Sequence, residues 1–359
     1  MKASQPGSPE PASAVLIASL SLVQCFTGTS IPTVVVSADP ADVAFYSRYS
    51  RRKKIIANSV TQPDRAVEDL LELGRTFSDR PVLFYEDQQA LLFVSRNREA
   101  LAKFYHFLLP PPHLVEACVD ELRFADLART LRLPFPRTFT SRQLATPDEL
   151  INRLGLPCLV KADTHKAVCV HDAEHLSRLC AGAKHDFVIQ EYIPSSDDSS
   201  YTFHAYCDRQ CNVLGCYVGR ETPAPIDSDT SPALELVDAP DLVGIAVDIL
   251  KRLNFVGVAT AHFRKDMRTG QFYLLGIQPT FSVWNYLGKL CGVNLPVLAY
   301  ADLLGQPYQV PTRYQPPAKW QSWATVLRRF LSRDLWSSVL GLLHYSRAVA
   351  DRIVPKGTA

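Results

Sequence analysis

The chain has 359 residues, 47% of them hydrophobic, with 38 Lys plus Arg against 36 Asp plus Glu and a formal net charge of +2. That length and apolar content can bury a full core and divide it between two or three domains. The near-neutral balance provides no field to gather nucleic acid or coat an anionic membrane, so no nucleic-acid partner is expected.

After a Pro- and Ser-rich leader, Ala14 to Ile17 reads as a buried strand, Ser19 to Thr27 as a helix and Pro32 to Val36 as a second strand. The apolar stretch from Ala14 to Phe26 is shorter than the roughly 20 residues a membrane-spanning helix needs. Its leader also lacks the charge pattern and clean cleavage site of a signal peptide, so no transmembrane segment is expected. No Gly-rich turn joins the first strand to its helix, which excludes a dinucleotide fingerprint.

The basic run Arg48, Arg51, Arg52, Lys53 and Lys54 reads as a solvated surface turn between elements. Asp64 to Arg75 has an acidic start and helical apolar spacing, and Pro81 to Tyr85 follows as another buried strand, continuing a doubly wound pattern. A helix is expected from Asn97 to Leu108. Pro110, Pro111 and Pro112 close it, because proline cannot continue a helix, and the first domain ends near His113.

Beyond this boundary the pattern predicts a helix from Ala117 to Leu131, strands at Cys158–Lys161 and Val168–Val170, a helix at Ala173–Ala181 and a strand at Phe187–Gln190. Strands dominate from Tyr201 to Tyr217. A helix at Pro240–Leu253 precedes strands Gly257–Phe263 and Gln271–Ile277, joined by the turn Met267–Gly270. From Lys319 to Ile353, Trp320, Trp323, Leu327, Phe330 and Trp336 recur at helical spacing among arginines, predicting an amphipathic tail. Its apolar face would pack on the body or dock a partner or a membrane surface.

Most of the nine cysteines sit in apolar runs such as Pro157-Cys158-Leu159-Val160, the pattern of small buried thiols in a reducing, cytoplasmic setting. Cys207, Cys211 and Cys216 lack the second pair that a zinc site requires, so no metal ligands are expected there.

Several segments recur in a fixed order: Ser47-Arg48-Tyr49, Val94-Ser95-Arg96-Asn97, and Asp120 to Ala125 leading to Leu133-Pro134-Phe135-Pro136-Arg137-Thr138. Leu156 to Lys161, Val188-Ile189-Gln190-Glu191-Tyr192-Ile193-Pro194 and Gly257 through Phe281 follow. In order and spacing they resemble the ATP-grasp carboxylate-amine ligases, over most of the chain.

The resemblance implies an α/β N-terminal domain with a parallel sheet (1–113), a two-lobed α+β ATP-grasp domain (114–310, lobes meeting near 186) and a helical C-terminal tail (311–359). Such enzymes pass a carboxylate through an acyl phosphate, made with ATP, to an amide with an amine. Phosphoryl transfer depends on positioning and on cations around the phosphates.

On this resemblance, Lys161 meets the α- and β-phosphates and Lys166 is a second phosphate-facing lysine. Gln190, Glu191 and Ile193 form the hinge that reads adenine, Asp198 or Asp197 contacts the ribose, and Arg220 is the surviving anion contact of the catalytic site. The metal site departs from the pattern. Ala261-His262-Phe263 stands where the family has a Glu, and Gly276-Ile277-Gln278-Pro279-Thr280 where it has Glu-x-Asn-Pro-Arg. Magnesium takes hard oxygen ligands, usually one or two carboxylates besides phosphates, so ATP is the expected ligand but a normal magnesium site is not. His262 and Gln278 could instead hydrogen-bond phosphates or hold a softer metal. Glu121 replaces a lysine frequent beside Asp120.

Two functions remain: a ligase with an atypical metal site, or a nucleotide-binding protein that keeps the fold without the chemistry.

Overall fold

The computed structural model describes residues 11–17, 20–140, 146–161, 167–182, 187–196, 199–222, 233–309 and 319–320. Strands β1 (Ala14–Ile17), β2 (Thr33–Ser37), β3 (Ser50–Ile55) and β4 (Val82–Tyr85) form a sheet in the order β3-β2-β1-β4, every neighbouring pair parallel. β1, β2 and β4 are apolar along nearly their whole length because a parallel sheet is covered on both faces. Helices α1 (Leu20–Cys25), α2 (Pro63–Gly74), α3 (Gln88–Arg96) and α4 (Arg98–Leu101) connect and cover them. α2 starts on Pro63, while Asp87 caps α3 by accepting from the Ala90 amide at 2.7 Å.

Three local expectations change here. Arg51 to Lys54 of the basic run lie in the edge strand β3 and not in a turn, since a strand paired on one side only tolerates exposed Lys and Arg. The helix expected over 97–108 stops at Leu101. Its backbone turns to pair with the entry to β4, His106 N donating to Pro81 O at 2.8 Å and Leu83 N to His106 O at 2.9 Å. The helix expected over 117–131 is two helices, α5 (Pro112–Val119) and α6 (Glu121–Thr130). Asp120 is extended between them and caps α6, its carboxylate accepting from the Leu122 and Arg123 amides.

The second sheet, antiparallel throughout, contains β5 (Thr138–Thr140), β6 (Cys158–Lys161), β7 (Ala167–Val170) and β8 (Val188–Glu191) in the order β5-β8-β6-β7. Leu150 and Leu154 of α7 (Pro147–Leu154) and Leu176 of α8 (Ala173–Gly182) join Cys158, Val160 and Ile189 in its core.

The third sheet contains β9 (Ser200–Cys207), β10 (Val213–Thr222), β11 (Ala233–Leu236), β12 (Gly257–Lys265), β13 (Phe272–Gln278) and β14 (Lys319–Trp320). It is antiparallel in the order β13-β12-β9-β10-β11-β14. One face packs on α9 (Pro240–Arg252). The start of the expected helical tail is therefore a strand: Lys319 and Trp320 pair with Glu235 and Leu234 and cover the otherwise open edge of β11. The remainder of that tail, 311–318 and 321–359, lies outside the described residues.

The other face of this sheet meets the parallel sheet and the helices α10 (Asn285–Leu290) and α11 (Leu295–Leu303) in one core. Phe84 sits between Phe26 and Phe281, each ring centroid 5.2 Å away. Lys289 Nζ donates to the carbonyls of Gln24 at 2.7 Å and Thr27 at 2.8 Å, and Asn294 Nδ2 to Cys25 O at 2.7 Å, closing the C-terminal end of α1.

Candidate functional site

Register across the third sheet places Gly276, His262, Thr202 and Gly219 side by side, with Gln278, Thr260 and His204 in a second row beside them. Strand alternation puts both rows on one face. Glu221, two residues on from Gly219, shares this face, and its Oε1 lies 3.6 Å from His262 Nδ1. His262 Nε2 is buried with no hydrogen-bond partner among the described residues. The departures read from the sequence are thus neighbours in space: His262 and Gly276 are directly paired.

In the second row His204 and Thr260 are buried. His204 is wholly buried, its ring nitrogens 3.1 Å from Thr202 Oγ1 and 3.3 Å from Thr260 Oγ1, and it stacks on Tyr217 at 4.7 Å. Burial, with His262 nearby, pushes its pKa down to about 3. Asn285 Nδ2 donates to Tyr217 Oη at 3.0 Å, and its Oδ1 accepts from the Ser282 amide at 2.7 Å, fixing the loop after Gln278.

Lys161, at the end of β6, is mostly buried (18% side-chain exposure) and donates to Glu121 Oε2 at 3.2 Å. Glu121 opens α6. The preceding residues Cys118 and Val119 line a small cavity of about 140 Å³ together with Glu86, Asp87, Gln278 and Thr280. The helix joint between α5 and α6 therefore brings Lys161 and the end of β13 into one neighbourhood.

The residues expected at the hinge are engaged within their own sheet. Glu191 forms a two-pronged ion pair with Arg137, Nε to Oε2 at 2.9 Å and Nη2 to Oε1 at 3.1 Å, which holds its carboxyl below the usual range. Arg137 also donates to the carbonyls of Arg153 and Leu154 at the end of α7. Gln190 is buried and donates to Thr138 Oγ1 at 3.0 Å, while Ile193 is buried just beyond the strand.

Arg220 is set apart. Alternation along β10 puts it on the face opposite Glu221 and His262, where its Nη2 lies 3.2 Å from Glu235 Oε2. Lys166, Asp197 and Asp198 lie outside the described residues. Glu221 and Arg137 were given no role of their own in the sequence. The first is visible only from strand alternation after Gly219, and nothing local marks the second as the partner of Glu191.

A parallel sheet joined to two antiparallel sheets, with Lys161, Gln190 and Glu191 on one and His262 and Gln278 on the other, makes this chain an ATP-grasp fold. The solved structures it resembles are carboxylate-amine ligases and related enzymes. The L-amino acid ligase of Bacillus licheniformis matches with a TM-score of 0.62 at 15% identity, over 82% of this chain and 75% of that one. N5-carboxyaminoimidazole synthetase of Staphylococcus aureus, solved with ADP, gives 0.65 at 14% identity over 86% and 81%. Biotin carboxylase of Campylobacter jejuni, solved as a β,γ-ATP complex, gives 0.65 at 14% over 84% and 73%.

In sequence, the chain is 21% identical to the D-aspartate ligase of Enterococcus faecium over 248 residues, 62% of this chain and 58% of the ligase. It is 23% identical to the carbamoyl phosphate synthase large chain of Gemmatimonas aurantiaca over 259 residues, 67% of this chain and 23% of the synthase. The chain therefore spans less than two thirds of each of these relatives. No family model matches it.

The residues in place differ from the carboxylate-rich magnesium site that the fold family implies. At the paired positions there is an imidazole facing a glycine, Gln278 supplies a neutral amide, and the carboxylate of Glu221 on this face is set against His262. No helix among the described residues is long and apolar enough to cross a membrane, and all nine cysteines carry free thiols.

Proposed function

We propose that this chain is an ATP-grasp-like, nucleotide-binding protein related to ATP-dependent carboxylate-amine ligases, with its phosphoryl-transfer chemistry impaired. One observation carries the reading: the directly paired positions that should hold magnesium are His262 and Gly276. Lys161 and the hinge around Gln190, Glu191 and Ile193 form the nucleotide cleft. The proposed units are 1–113, 114–310 and 311–359, and the free thiols support a cytoplasmic protein.

Calorimetric titration of adenine nucleotides, with and without Mg²⁺, tests this. The expected result is binding that Mg²⁺ does not strengthen and that Lys161→Ala alters, without acid- and amine-dependent release of phosphate. Magnesium-strengthened binding accompanied by such release overturns the impairment.

One observation favours a second reading, an active but atypical ligase joining a small carboxylate to an amine. Glu221 presents a carboxylate on the His262 face, and one carboxylate with substrate phosphates can hold a magnesium ion. Glu221→Gln would then abolish phosphate release while sparing nucleotide binding.

A further inference from the structure

At the outer edge of the second sheet, a cavity of about 510 Å³ opens between the end of α6, the edge strand β5 and the end of α7. Its volume falls in the range of about 300–1,000 Å³ usual for small-molecule sites. Arg129, Arg132, Arg137 and Arg153 line it together with the rings of Phe135 and Phe139, and among the described residues no Asp or Glu belongs to its wall. Neither Lys161 nor Gln190, Glu191, His262 or Gln278 lines it, so it is separate from the proposed nucleotide cleft.

The four guanidinium groups are held differently. Arg137 is fixed by Glu191 and by the carbonyls of Arg153 and Leu154, which commits most of its donors. Arg129 pairs with Asp126 at 2.9 Å within α6, and Arg153 pairs with Glu149 within α7 while lying 5.7 Å over the Phe139 ring. Exposed pairs of this kind, three or four residues apart on one helix, contribute little and leave further N–H groups open to an anion. Arg132 has no side-chain partner among the described residues. It stands at φ +50° in the left-handed position that ends α6, where Arg132 N donates to Arg129 O at 3.1 Å and Leu133 N to Ala128 O at 2.9 Å. Glycine ordinarily fills that position, because a Cβ is strained there. The arginine bears this backbone cost and adds a guanidinium to the cavity wall.

A carboxylate offers two oxygens in one plane, which a single guanidinium fork saturates. A phosphate monoester offers three terminal oxygens and about 1.5–2 negative charges near pH 7, so guanidinium groups can bond it from several sides. We infer that this cavity binds a small organic phosphate monoester, its phosphate held by Arg129, Arg132 and Arg153 and its apolar body against Phe135 and Phe139. Arg137 adds charge to the wall.

The test is calorimetry on the full chain at low salt, with phenyl phosphate, inorganic phosphate and benzoate as probes. Phenyl phosphate is expected to bind about tenfold or more tighter than inorganic phosphate, which lacks the apolar body, and than benzoate, which has a planar head with one charge. Arg132→Gly should weaken phenyl phosphate about tenfold while its melting temperature stays close to the native value, because glycine suits φ +50°. Lys161→Ala should leave phenyl phosphate binding unchanged. Absence of phenyl phosphate binding, binding no tighter than that of either comparison anion, or undiminished binding by Arg132→Gly overturns the site. Loss of binding in Lys161→Ala places the probe in the nucleotide cleft and overturns it equally. Each of these results leaves the nucleotide reading standing, since that reading is tested by adenine nucleotides at other residues.

Discussion

Lowering the pH from about 7.5 to about 5.0 is expected to weaken folding through His204, whose buried imidazole is held neutral between two threonine hydroxyls. Its folded pKa of about 3 lies below the ordinary value of 6.5. The unfolded chain therefore takes up the proton first as pH falls. The stability from this residue is full above the unfolded value and drains away as pH drops through the window between the two.

Over the step from pH 7.5 to 5.0 the proton-linkage relation gives a loss of about 2 kcal/mol from this residue. Urea unfolding followed by tryptophan fluorescence at several pH values would measure it, with His204→Gln as the reference. The variant should be less stable near neutrality but lose about 2 kcal/mol less on acidification. Glu191 and Asp266, whose carboxyls are held below their ordinary values by their arginine partners, are the same in both proteins and cancel in the comparison. His106 is shifted down in both proteins and cancels in the comparison. Equal pH dependence in the native protein and the variant would refute the reasoning.

Phe84→Ala should cost about 3–5 kcal/mol in chemical denaturation, because a ring with 1% exposure leaves a cavity between Phe26 and Phe281. A cost below about 1 kcal/mol would mean that this core does not hold the two sheets together. Asn285→Ala strips partners from the Ser282 amide and the Tyr217 hydroxyl, so a loss of about 1–3 kcal/mol and faster hydrogen exchange at Ser282 are expected. Gly257→Ala should lower thermal stability by more than about 1 kcal/mol. Gly257 has φ +83°, and an added Cβ would sit 2.4 Å from Leu108 O, so native-like stability in that variant would count against the described backbone.

Sequence periodicity located the strands whose burial is continuous, such as β1, β2 and β4, and the helices α2 and α9, which have proline near the start and apolar spacing. It failed where tertiary partners decide. The basic strand β3 is held by its pairing with β2, and a run of arginine and lysine gives no sign of that. Asp120 breaks a helix that apolar spacing alone would continue, although an aspartate before Glu121 is a capping signature that could have been read. Lys319 and Trp320 fit a helical period, yet the open edge of β11 takes them as a strand.

At the site, resemblance identified the altered positions, and the structure supplied their neighbours. That His262 stands opposite Gly276 depends on register, and that Glu121 reaches Lys161 depends on a contact across 40 residues of chain. Arg220 shows the limit of reading along a strand. One residue separates it from Glu221, and that single step moves it to the far side of the sheet.

The closure of α1 by Lys289 and Asn294 has a consequence for synthesis. These bonds join residues more than 260 positions apart, as the Lys289–Thr27 separation of 262 and the Asn294–Cys25 separation of 269 record. A ribosome delivers chain ends in order, at about 5–20 residues per second. β1 and α1 therefore emerge on the order of ten seconds or more before the residues that cap and cover them. Until then the apolar faces of Leu22 and Phe26 have no lasting partner from the third sheet. The newborn N-terminal segment is thus a natural client for chaperones, and truncation before α10 should yield an aggregating fragment.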